Sequence, residues 1–317
     1  MRSHRSMLKL AQEYLAYRRN LGYKLKITGY QLLSFARFAD QIKHCGPITT
    51  ELAIQWACLP ENASPIYPAR RLEVVRCFAK YRAIFDSNTQ IPPDGILGPA
   101  HRRTQPHIYS NQQIAQLLRA AAKFSPVGGL RPRTYVTLLG LLACSGLRIS
   151  EALALTRRDV DLERQTLVIR ESKFHKSRLV PIHPSACRSL LKYARFRDRR
   201  WQMSMTPAFF LAERGTPLKY STVNMTFRKL CDGLGWDLPR GRRRPRIHDL
   251  RHTFACRSLL KWHKEGRDIE HAVAALSTYL GHVKVTDTYW YLTGIPELFA
   301  VTARNFERFT RSTQGGA

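Results

Sequence analysis

The chain has 317 residues, 44% of them apolar, and carries 52 lysines and arginines against 23 aspartates and glutamates, a formal charge of +29. That excess points to a polyanionic partner, nucleic acid before any other. The basic residues are interleaved with apolar periodic segments, which excludes a disordered basic tail, and no apolar run approaches the roughly 20 residues of a membrane span.

The length predicts about two domains, each with enough apolar material for its own core. Before residue 89 there are 14 basic and 6 acidic residues, and after it 38 and 17, so both parts are expected to touch the polyanion. Seven cysteines, at 45, 58, 77, 144, 187, 231 and 256, form no CxxC pair. They read as reduced thiols of a cytoplasmic protein. Met1 to Arg5 is basic but leads into the amphipathic stretch Leu8 to Leu15, not into the apolar core of a signal peptide.

In chain order, residues 7–20, 29–43, 50–58 and 67–85 show helical spacing, with Pro47, Pro60 and Pro65 between them. This predicts an N-terminal helical domain over residues 1–88. Turn formers and basic residues with little periodicity make 89–109 a linker. Ser110 and Gln113 have the spacing of a capping box and open a second domain over 110–317. Helical periodicity runs through 132–144, breaks at Gly146, and resumes over 149–156, which leaves Arg148 at a helix entrance. Thr166 to Arg170 and Arg178 to Ile182 read as two short strands joined by a basic turn. Helical patterns follow at 184–200, 220–234, 249–263 and 269–280, and again after Pro296. The expected fold is mainly α with a small antiparallel β-sheet.

The second domain carries a chemical toolkit: Arg148, Lys173, His248, Arg251, His282 and Tyr291. Guanidinium forks grip phosphate oxygens at two points and a phenolic oxygen can attack phosphorus, so this set suits phosphoryl transfer without a metal. His252 lies one turn after His248, but no third ligand follows at matching spacing, and a zinc pair is not expected. The run Arg240, Arg242, Arg243, Arg244 and Arg246 reads either as a solvated loop or as a clamp on the DNA backbone; its place just before His248 favours phosphate contact, as does the basic character of Lys176 and Arg178. Alone, the Tyr289-Trp290-Tyr291 cluster would be an aromatic core patch.

The chain resembles the tyrosine recombinases, or phage-type integrases, and within them the transposon-borne branch. The resemblance is carried by Ser145 to Leu153, the hairpin Lys173 to Pro181, His248 to Ala255, and Leu280-Gly281-His282 followed nine residues later by Tyr291. Single fragments of this kind are weak; together, in order, they are specific. The resemblance implies a helical core-binding domain joined to an α+β catalytic domain, which form a C-shaped clamp on double-stranded DNA. It implies that Tyr291 attacks a phosphodiester to give a 3′-phosphotyrosine and a free 5′-hydroxyl, that Arg148, Arg251 and His282 stabilise the phosphorane-like transition state, and that Lys173 protonates the leaving oxygen, with Lys176 as its neighbour and competitor. His248 exchanges the proton of the tyrosine or assists phosphate binding, and Glu151 orients the arginine or the histidine. No cofactor is implied. The partners implied are further copies of the chain, as a tetramer on paired sites, and in some systems companion recombinases. The C-terminal segment from Pro296 docks on a neighbouring protomer or on its own domain. A type IB topoisomerase-like enzyme and a noncatalytic DNA-binding protein are the competing readings. A divalent-metal nuclease would need clustered carboxylates that these motifs lack.

Overall fold

The structure is a computed structural model that describes residues 6–101, 105–170, 177–202, 206–236 and 244–293. The chain divides into two compact units, Met1–Thr104 and Gln105–Ala317.

The described part of the first unit contains four helices, α1 (Met7–Asn20), α2 (Lys26–Gln41), α3 (Thr50–Cys58) and α4 (Tyr67–Arg82). Ser6 and Thr49 cap α1 and α3 by accepting the backbone N–H of Lys9 and Leu52. Each helix turns an apolar stripe inward, and Phe35, Trp56, Val75 and Phe78 meet in the core with no solvent exposure. Asp40 in α2 accepts the N–H groups of Met7 and Leu8, which pins the start of α1 to the bundle. Arg71 lies inside the bundle, its guanidinium 3.7 Å from the centre of the Trp56 ring while Nη2 donates to the Trp56 carbonyl at 2.7 Å. A buried cation this well held is structural and not a phosphate contact.

The segment read as a linker is largely built into the two units. Gln90 donates its N–H to the Ile48 carbonyl, Asp94 pairs with Arg76, the Ala100 carbonyl accepts from Arg70, and His101 meets Glu73. On the other side of the division, Tyr109 is 1% exposed and bonds to Thr253, Arg246 and Arg257. Several residues of 89–101, and Tyr109, are thus bonded into the unit on their own side of the division. Proline, glycine and basic residues marked where the chain is irregular, which says nothing about whether irregular backbone is bound.

The second unit holds α5 (Asn111–Ala122), α6 (Leu130–Ser145), α7 (Ile149–Ala154), β1 (Val160–Asp161), β2 (Thr166–Ile169), β3 (Arg178–Pro181), α8 (Pro184–Arg200), α9 (Tyr220–Gly233), α10 (Asp249–Lys264), α11 (Ile269–Leu280) and α12 (Thr286–Thr293). The Ser110 and Gln113 capping box is present at the start of α5. The sheet is antiparallel in the order β1-β2-β3, with Leu167 opposite Val160 and Val180, and Ile169 opposite Arg178. Alternation puts Leu167, Ile169 and Val180 into the core and leaves Leu179 exposed. One apolar cluster spans α5, α6, α8, α9 and the sheet, and a second joins α10, α11 and α12 through Leu259, Val273, Leu276 and Tyr291. No helix among the described residues is long and apolar enough to cross a membrane.

Candidate active site

The site grows from helix ends. At the end of α6, Gly146 takes a left-handed conformation, φ 62°, that a residue with a Cβ adopts only at a cost. The chain then runs extended through Arg148, which becomes the N-cap of α7. Three residues on, Glu151 reaches back and accepts the Arg148 N–H at 3.0 Å, while Arg148 Nη1 donates to the other carboxylate oxygen at 2.7 Å. The arginine is thus fixed at its backbone and at its fork by one side chain.

Arg251 sits in the first turn of α10 and is 2% exposed. That helix begins with Asp249, 1% exposed, whose carboxylate accepts the N–H, Nε and Nη2 of Arg246. Arg251 Nη1 donates to the Gly146 carbonyl at 2.8 Å, and Nη2 to the Leu280 carbonyl at 2.7 Å and to His282 Nε2 at 2.9 Å. Burial, followed by the nearby Arg148 charge, pulls its pKa down to about 10, which still leaves it protonated near neutrality.

The end of α11 gathers three guanidiniums. Its Gly281 is left-handed, φ 67°, and the last carbonyls accept in succession: Tyr279 from Arg178 Nε at 2.9 Å, Leu280 from Arg251, and Gly281 from Arg148 Nη2 at 3.2 Å. Helix C-termini leave such carbonyls unpaired and partly negative, so cations are favoured there. His282 follows directly. Arginine can only donate, so His282 Nε2 is an acceptor toward Arg251, and the ring proton belongs on Nδ1, 2.7 Å from Thr288 Oγ1. Thr288 is fully buried on α12, three residues before Tyr291 and on the same helical face, so the histidine also anchors the helix of the tyrosine.

Tyr291 is 3% exposed, against 43% for Tyr289. The Arg251 charge acts on the Tyr291 hydroxyl. Its ring stacks on His282, centres 5.9 Å apart, and meets the edge of His252 at 5.3 Å. Burial raises its pKa above the ordinary 10, and the Arg251 charge offsets only part of that. His248 caps α10 and packs against His252 at 5.0 Å. Loss of hydration in crowded surroundings, then the Arg251 charge, lowers its pKa to about 4, although the residue as a whole is exposed. His282, for burial and then the same Arg251 charge, also falls to about 4. Both rings are neutral at pH 7.

The structure therefore brings Arg148, Glu151, His248, Arg251, His282 and Tyr291 into one cluster. Three expectations need revision. Arg178, expected on DNA, is turned inward, its Nη1 and Nη2 donating to the two oxygens of Glu151 at 3.1 and 2.9 Å. Arg246, expected on the DNA backbone, is engaged with Asp249, leaving its half-exposed outer edge for any phosphate. His282, expected to donate to phosphate, is an acceptor in this arrangement because Arg251 faces it. Arg244 is exposed and pairs loosely with Asp232 at 3.2 Å. Lys173, Lys176, Arg240, Arg242, Arg243 and the segment from Pro296 lie outside the described residues. Sequence reasoning missed Thr288 and the carbonyls of Tyr279, Leu280 and Gly281; a backbone acceptor leaves no mark on residue identity. His252, set aside as a metal ligand, touches the tyrosine ring, and its Nδ1 is buried without a hydrogen-bond partner. Among the described residues no group of three or more histidine, cysteine or acidic side chains could hold a metal.

Two arginines, two neutral histidines and a tyrosine hydroxyl in one half-buried cluster can bind a phosphate and attack it. The model of the phage integrase family matches residues 108–294, the span that contains all of them. The chain belongs to that family. It is a tyrosine-type site-specific recombinase. Among its relatives, "Putative integrase/recombinase y4rB" of Sinorhizobium fredii is 44% identical over 94% of this chain and 96% of its own length. The tyrosine recombinase XerC of Chlamydia caviae is 30% identical over 74% of this chain and 69% of its own. Of solved structures, the Tn1549 transposon integrase in complex with transposon right end DNA covers 96% of this integrase and 100% of its own chain, with TM-score 0.66 at 17% identity. XerH bound to a palindromic difH substrate covers 88% and 79%, with TM-score 0.64 at 18% identity. These structural likenesses establish a shared fold.

Proposed function

We propose that this integrase cleaves and rejoins double-stranded DNA through a 3′-phosphotyrosine on Tyr291, in the integration or transposition of a mobile element. The observation that carries the reading is the buried Tyr291 ring stacked on His282, whose Nε2 accepts from Arg251, inside the group formed with Arg148 and His248. Tyr289 faces solvent and has no such neighbours described.

In this reading Arg148 and Arg251 donate to the nonbridging oxygens, whose negative charge grows in the transition state; fixed, half-buried donors stabilise that charge more than they stabilise the ground state. The Tyr291 oxygen bonds to phosphorus as the bond to the 5′-oxygen breaks. The phenolic proton passes to neutral His248, and Lys173, by its motif position, protonates the departing 5′-oxygen. Arrival of the phosphate adds negative charge beside His248 and His282 and raises both pKa values, which makes His248 a better base and lets His282 protonate and donate. Attack by the 5′-hydroxyl of another strand on the phosphotyrosine reverses each transfer. Both units are net positive, in keeping with phosphate contacts along the duplex, to which Arg240, Arg242, Arg243, Arg244 and Lys176 contribute. The mobile-element role, the transposon-type branch and assembly as a tetramer on paired sites draw support from the transposon integrase just described and from a lambda integrase tetramer bound to a Holliday junction, which shares the fold with TM-score 0.59. Companion recombinases fit the same picture.

The test is covalent trapping in EDTA on a nicked suicide duplex bearing the DNA that flanks the gene. Wild type, Tyr291→Phe and Tyr289→Phe run side by side. An adduct lost in Tyr291→Phe alone is expected; an adduct that survives this change and disappears in Tyr289→Phe would reassign the nucleophile.

A further inference from the structure

Arg178 lies outside the catalytic set assigned above, yet it is among the best-held side chains of the site. We propose that Arg178 is a positioning residue for Arg148: it compensates the charge of Glu151 and braces the end of α11, so that Arg148 keeps both its charge and a free edge for the scissile phosphate. The proposal rests on the phosphotyrosine reading.

Glu151 has a side chain only 4% exposed. Its Oε1 accepts Arg148 Nη1 at 2.7 Å and Arg178 Nη1 at 3.1 Å; its Oε2 accepts the Arg148 N–H at 3.0 Å and Arg178 Nη2 at 2.9 Å. A carboxylate has about four acceptor sites, so this one is saturated, half of it by the Arg178 fork. The net effect holds Glu151 ionised: burial raises its pKa, the Arg178 and Arg148 hydrogen bonds lower it further, and the result is below the ordinary carboxylate value.

An arginine paired with one buried carboxylate is electrically spent. If Arg148 faced Glu151 alone, an incoming phosphate would compete with an anion already 2.7 Å from Nη1. With Arg178 on the far side, one negative charge is shared between two guanidiniums, and the cluster of Arg148, Arg178, Arg251 and Glu151 keeps an excess of two positive charges for the phosphate. Without Arg178 it keeps one, and Glu151 is left with two unsatisfied acceptor sites that draw Arg148 inward.

The second half of the role is geometric. Arg178 Nε binds the Tyr279 carbonyl, next in line to the carbonyls that hold Arg251 and Arg148. The helix end thus spaces the three guanidiniums, and Arg178 joins this template to strand β3. Gly281 makes the passage possible, since a Cβ there would stand 2.8 Å from Arg178 Nη1 and 3.0 Å from Cζ. Lysine could replace the charge but not the fork.

The test uses the full chain and the suicide duplex, with single-turnover adduct formation at saturating DNA for wild type, Arg178→Met, Glu151→Gln and the double variant. The phosphotyrosine reading stands or falls separately, on the wild-type adduct and its loss in Tyr291→Phe. Given that adduct, Arg178→Met is expected to slow cleavage on the order of 10- to 100-fold, less than the 100- to 1000-fold typical of removing a transition-state donor outright. The double variant should recover part of the loss, because neutralising Glu151 removes the charge that Arg178 answers. A duplex with a neutral methylphosphonate at the scissile position should shrink the defects of Arg178→Met and Arg148→Ala together, whereas a defect of folding alone would persist on both substrates. If Arg178→Met unfolds, Arg178→Gln takes its place under the same criteria. Wild-type rates in the single variant, no recovery in the double, or a methylphosphonate that helps Arg148→Ala and not Arg178→Met would each overturn the proposal.

Discussion

Arg251→Lys separates the structural hold of one guanidinium from the transition-state role proposed for it. The fork reaches the Gly146 carbonyl with one nitrogen, and the Leu280 carbonyl and His282 with another. A lysine ammonium is a single point and can meet one side of that span. At least one buried carbonyl is then unpaired, at about 1–3 kcal/mol, and a charge-assisted bond is lost, so destabilisation of roughly 2–4 kcal/mol is expected. For a unit of this size that lowers Tm by roughly 4–16 °C, which leaves the domain folded at 25 °C if its stability is typical. Cleavage should fall further than stability implies, about 100- to 1000-fold at saturating DNA, through the loss of one transition-state donor. The burial and Arg148 charge that lower the Arg251 pKa would lower that of a lysine too, so residual activity of the variant should decline at a lower pH than that at which an ordinary lysine titrates. Thermal unfolding and single-turnover trapping on the same samples decide the matter. A variant with lowered Tm that cleaves at the wild-type rate would make Arg251 scaffold alone, and one with unchanged Tm would refute the described hold on the two carbonyls.

Other outcomes follow from the same geometry. His248, His252 and His282 all fall to about 4 in the folded state, burial being the first cause in each, against an ordinary 6.5. Between those values the unfolded chain binds more protons, so stability should rise with pH from about 4 to 6.5 and level off above; a calorimetric series should show this slope, reduced in His282→Asn. Gly146→Ala places a Cβ against the Phe254 ring, 3.0 Å from Cγ, and 3.1 Å from Leu280 Cδ2, at a left-handed φ. Backbone strain of about 1–2 kcal/mol and overpacking of about 1–3 kcal/mol predict a clear loss in urea midpoint; an unchanged midpoint would contradict the close contact. Affinity for duplex DNA should drop steeply with salt, and a flat plot of log K against log salt would count against phosphate clamping.

The residues at the site were legible where chemistry and chain geometry coincide. Arg148, His248 and His282 each stand at a helix boundary marked by glycine or by a following acidic residue, and a boundary can be read from spacing. The helices at 7–20, 50–58, 184–200 and 269–280 also follow from periodicity, because each buries one continuous stripe. Strand β1, two residues long, is too short to show any period. Arg178 was misread because a cation next to a basic turn looks the same whether it faces solvent or a carboxylate 27 residues back. Nothing in the composition of 89–109 could reveal Asp94 beside Arg76 or Tyr109 beneath α10. The pairing of the clustered arginines with helix-end carbonyls is invisible for a deeper reason: any residue could supply those oxygens.

The three arginines that meet at the end of α11 come from far apart in the chain. Arg148 lies 133 residues before its carbonyl and Arg178 101 before its own, while Arg251 spans 105 residues to Gly146. Closing such distances has an entropic cost that only later contacts offset, which puts this assembly late in folding. A chain emerging from synthesis, with residues 1 to 278 complete, would own every arginine of the centre and none of the α11 carbonyls that space them. On the proposed chemistry, the ability to cut DNA arrives only as residues 279 to 291 are made, and copies that stop short of them are expected not to cleave.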